Sequence, residues 1–75
     1  MGTYANCQVL KEIDIAVIEG RYLGKSSYAI ADELYTVATN IRYHIRKITR
    51  LTGLNPYVPE EAEKLYKKYV EGKNE

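Results

Sequence analysis

Between Ala38 and Thr52 the chain reads ATNIRYHIRKITRLT, and no other stretch constrains it as tightly. Ile41, Ile45, Ile48 and Thr52 recur at spacings of four, three and four. That places them on one stripe of a helix in which each residue advances about 100°. Thr39, Arg42, Tyr43, Arg46 and Arg50 fall on the opposite side, and the stretch contains no Asp or Glu. Such a helix has a back that must be buried and a basic front with nothing to neutralise it. A front of this kind suits a polyanion.

Seventy-five residues make a single domain. A chain of this length buries only about 60% of its unfolded surface, so homodimer formation is expected. Net charge is only +1, but its distribution matters more than its sum. Four cations and His44 crowd the nine positions from Arg42 to Arg50. The acids lie elsewhere, mainly at Glu12, Asp14 and Glu19, at Asp32 and Glu33, and at Glu60, Glu61 and Glu63.

One cysteine and one histidine exclude a zinc site of soft ligands. No metal and no cofactor is expected. Cys7 has no disulfide partner, which fits a reducing compartment, and reads as a small buried or half-buried residue rather than a reactive thiol. There is no convincing nucleophile–base pair and no glycine-rich phosphate loop, so catalysis is not expected. The longest apolar run is far short of a membrane span. No charged-then-apolar leader opens the sequence, and Asn6 breaks the myristoylation pattern that Gly2 would begin. No small-molecule ligand is evident. These features together predict a cytoplasmic, nucleoid-associated protein.

In chain order, residues 1–6 carry no strong signal. From Cys7 to about Gly20 the set Val9, Leu10, Ile13, Ala16 and Val17 has helical spacing, with Lys11, Glu12, Asp14 and Glu19 expected to face outward. Gly20 and Gly24 bracket the end of that helix. Ser26 and Ser27 are N-cap candidates for a short second helix ending near Leu34, with Ile30, Ala31 and Leu34 inward. Tyr35, Thr36 and Val37 form the turn into the basic helix, which Gly53 stops. An extended connector, residues 54–58, leads to Pro59 at the first position of a last helix, with Glu60 and Glu61 in its first turn. Ala62, Leu65, Tyr66, Tyr69 and Val70 give that helix an apolar stripe, and Gly72 ends it. There is no alternating strand pattern. The expectation is an all-α domain of four helices, with a helix-turn-helix at about 26–52 and a last helix at about 59–71.

With this order in place, Gly24-Lys25-Ser26, Ile30-Ala31…Leu34 and the run through His44 resemble the helix-turn-helix of LuxR-type regulators. Ile41-Arg42-Tyr43, Ile48, Leu51-Thr52-Gly53-Leu54-Asn55 and the proline–acid start of the last helix more closely resemble the C-terminal DNA-binding domain of PucR-type regulators. The resemblance covers about Val9 to Val70. It implies double-stranded DNA as the partner, transcription regulation as the role, and the third helix in the major groove. Those regulators usually carry the module behind a large sensory region, which these residues do not include, so the resemblance does not extend to effector sensing.

Arg42, Tyr43 and Arg46, with Thr39, are expected to meet base edges, because arginine presents paired donors to guanine. Asn40 has two readings, bonding adenine or capping. Lys47 and Arg50, a turn further on, are expected on phosphate. Lys25, Ser26 and Ser27 open the second helix, where phosphate contact competes with plain capping. His44 reads as a partly buried structural histidine. Leu65, Tyr66, Tyr69 and Val70 are expected to combine core packing with a dimer contact. Two other functions stay open: a sequence-tolerant architectural DNA binder, which random duplex would compete away, and a protein-binding adaptor, which would shift no duplex.

Overall fold

A computed structural model describes residues 10–71. Within them the chain is all-helical: α1 (Glu12–Tyr22), α2 (Ser27–Glu33), α3 (Ala38–Thr52) and α4 (Pro59–Leu65), which continues as a wider, π-helical segment, Tyr66–Glu71. The helix start expected at Cys7, the inward Val9 and the stop at Gly72 lie outside the described residues. No described helix is long and apolar enough to cross a membrane.

The first helix passes through Gly20 and ends two residues later than expected, because Gly24 is the residue with φ +84°. The Lys25 N–H donates to the Gly20 carbonyl at 2.9 Å and the Gly24 N–H to the Arg21 carbonyl at 3.0 Å. This pair is the Schellman closure, which needs a left-handed residue at Gly24. Gly20 has a different task. A Cβ there would stand 2.7 Å from Cγ1 of Ile30, so its lack of a side chain lets α2 lie close against α1.

The same closure recurs at the end of α2, now without a glycine. The Thr36 N–H donates to the Ala31 carbonyl at 2.9 Å and the Tyr35 N–H to the Asp32 carbonyl at 3.3 Å. Tyr35 takes φ +57° and is 97% exposed. An L side chain in this region costs roughly 1–2 kcal/mol, part of which glycine returns as unfolded-state entropy. Tyr35→Gly is therefore expected to stabilise the domain by about 0.5–1 kcal/mol and raise Tm by about 2–8 °C. Calorimetry showing an unchanged or lower midpoint would contradict this account of the turn.

Ser26 caps α2 by accepting the Ala29 N–H at 3.1 Å. Gly53, at φ +79°, closes α3 with its N–H on the Thr49 carbonyl. The connector is not extended throughout. The Val58 N–H donates to the Asn55 carbonyl at 3.0 Å and the Tyr57 N–H to Asn55 Oδ1 at 2.9 Å, folding residues 55–58 into a β-turn. Asn first and Pro second are the residues such a turn favours.

Val17 and Ile18 of α1 meet Ile30 and Ala31 of α2, Ile41, Ile45 and Ile48 of α3, and Leu65 of α4 in one core. Helix α1 touches every other helix and forms the spine against which α3 is mounted.

Candidate nucleic-acid interface

The isoleucine stripe of α3 is buried, as its spacing requires: Ile41 and Ile48 are fully covered and Ile45 nearly so. Burial of a stripe fixes a helix only loosely about its axis. Polar contacts at the edge of the stripe fix it more tightly. Asp14 of α1, expected on the surface, is 0% exposed. Its Oδ2 accepts the Lys11 backbone N–H at 2.8 Å and the Lys47 ammonium at 2.9 Å. Oδ1 faces His44 Nδ1 at 2.8 Å. A carboxylate only accepts, so Nδ1 carries the proton there.

Two expectations are corrected by this cluster. Asp14 does not face solvent. Lys47, only 7% exposed, is spent on Asp14 rather than free for phosphate. Asp14 lies four residues after Leu10, three before Val17 and four before Ile18, so helical spacing puts it on the apolar stripe. An acid in that register needs a buried cationic partner, and this was the available signal. Burial pushes the Asp14 carboxyl pKa up, but the Lys11 N–H, Lys47 and His44 together outweigh it and leave the group below its ordinary 3.8. His44 is the partly buried structural histidine expected, and it is tied to α1.

With the back held in this way, Thr39, Arg42, Tyr43, Arg46 and Arg50 are all exposed. None of the three arginines forms an ion pair with a carboxylate among the described residues. Arg46 and Arg50 flank a groove that includes Ile45, Thr49, Asn55 and Tyr57, where their aliphatic stems have apolar surface to lie on. Arg42 to Arg50 covers about 12 Å along the axis, close to the roughly 12 Å width of the DNA major groove.

The flanking candidates divide differently. The Asn40 amide donates to Thr36 Oγ1 at 3.2 Å, so it braces the start of α3 instead of standing free for adenine. Ser27 is buried with its hydroxyl 3.2 Å from the Tyr57 hydroxyl, which removes it from the phosphate set. Ser26 has the capping role. Lys25 is paired with Glu33 at 2.7 Å. That exposed pair is worth about 0.2–1 kcal/mol, weak enough for a phosphate to displace Glu33. Arg21, which the sequence did not single out, donates to the Lys25 carbonyl at 2.6 Å and packs over the Tyr57 ring, tying the α1–α2 turn to the connector.

The expected dimer face is largely used within the chain. Leu65 is fully buried in the core. Tyr66 stacks on Tyr22 with ring centroids 4.1 Å apart, and Tyr69 and Val70 pack partly buried against the core. The final stripe is wide because it covers the Tyr22 ring at the end of α1 as well as the core.

Comparison of the chain with models of known protein families, with curated proteins and with solved structures found no match. Function therefore rests on the chemistry of the α3 face. Three guanidinium groups, a tyrosine and a threonine on one rigid, acid-free surface can bond both phosphate oxygens and base edges.

Proposed function

We propose that this chain is a sequence-specific double-stranded DNA-binding protein, a transcriptional regulator that sets α3 in the major groove. The observation that carries this reading is the free basic face of α3. Arg42, Arg46 and Arg50 are exposed without carboxylate partners among the described residues, in a chain whose formal net charge is only +1. A neutral protein that leaves its arginines unneutralised on one helix has a local field to offer a polyanion. The similarity to PucR-type regulators supports the same face. Such a protein would act where the chromosome is, in the cytoplasm and associated with the nucleoid, and as a homodimer it would span half-sites about one helical turn apart.

The test is titration of a labelled duplex selected from a random pool, repeated across salt concentrations. Affinity is expected to fall log-linearly with salt, at a slope of about −0.9 for each phosphate neutralised. With Lys47 internal, Arg50 and Lys25 are the phosphate contacts left, which gives a slope of about −2 per protomer. A palindromic consensus would report the dimer. Absence of any duplex binding at low salt would reject the reading.

A further inference from the structure

Tyr28 is the second residue of α2, 69% exposed, and makes no contribution to the core. Its hydroxyl accepts a hydrogen bond from Nη2 of Arg42 at 3.2 Å across the α2–α3 turn. The Arg42 guanidinium carbon lies 5.6 Å from the centre of the Tyr28 ring. Neither contact serves burial, and together they hold the end of a long side chain that an exposed helix position would otherwise leave mobile. We infer that Tyr28 is a positioning residue that pre-orients Arg42 for base recognition, an inference that rests on the DNA-binding reading.

The chemistry is selective about what it leaves free. A guanidinium carries five N–H donors and Tyr28 takes one, so two adjacent donors remain for the paired acceptors of guanine. Arginine has a large rotamer entropy, and fixing it before contact removes part of the ordering cost of binding. That gain applies only where Arg42 meets a matching base. Phosphate contacts, which tolerate many arginine conformers, gain little. Tyr28 should therefore act on discrimination rather than on overall affinity.

The test uses the full chain, the duplex selected from a random pool and a random-sequence duplex of equal length, with Tyr28→Phe, Arg42→Ala and the double variant. Tyr28→Phe keeps the ring and removes the acceptor, and its thermal midpoint should match wild type. Its preference for the selected duplex is expected to drop about three- to tenfold, the worth of one exposed hydrogen bond. Random-duplex affinity and salt slope should stay at the wild-type level. In the Arg42→Ala background, Tyr28→Phe should add nothing, because the two act through one contact. An unchanged preference, or a loss that persists in full without Arg42, overturns the positioning role while leaving DNA binding intact. A wild-type chain that binds neither duplex overturns both.

Discussion

Asp14→Asn is expected to cost about 3–5 kcal/mol of stability, because it leaves the Lys47 ammonium buried opposite a neutral amide. A domain of this length has only about 4–11 kcal/mol in total. The variant should therefore lose a large share of its stability and show a much lower urea midpoint. Asp14→Leu combined with Lys47→Met removes both charges together and should recover at least half of the loss, since an apolar replacement of a buried pair is close to neutral. If the double variant is no more stable than Asp14→Asn, the cost lies in packing or in the Lys11 N–H and His44 donors that lose their acceptor, and not in the stranded Lys47 charge.

The same carboxylate sets a pH dependence. Its folded-state pKa lies below the ordinary 3.8, so the stabilisation it gives is fully present above that value and is lost as pH falls through the folded one. Urea unfolding from pH 5 to pH 2 should show falling stability in the wild type, and a shallower decline in Asp14→Asn. Parallel curves for the two proteins would remove Asp14 as the source.

The second large effect concerns binding. Arg42→Ala is expected to cost about 1–3 kcal/mol on a preferred duplex and to relax selection at one base position. Arg50→Ala, a phosphate contact in the proposed pose, should weaken selected and random duplexes alike and reduce the salt slope by about one. The folds of both variants should be untouched, since both side chains are exposed. Equal losses from the two substitutions on both duplexes would refute the division between reading and anchoring, and would favour a sequence-tolerant architectural role.

The sequence alone determined the all-helical character of the described residues and which side of α3 is buried. Its bounds, its buried isoleucines and its arginine face follow from residue spacing, and its stop from Gly53; these are properties of neighbours within a turn or two. Helix ends were legible where the residue type matched the backbone, as at Ser26 and Pro59. The end of α2 near Leu34 was legible as well, but not the left-handed backbone at Tyr35 that closes it, since the residue type there disfavours that conformation. The register of Asp14 marks it for the inside, but tertiary structure alone decided which charges meet it there. Asp14 and Lys47 stand 33 positions apart, and no local pattern pairs them. It likewise brought Tyr28 to Arg42. A charge is tolerated inside only where a partner meets it, so the pairing that permits its burial is a property of the assembled fold even where the register of the acid is local.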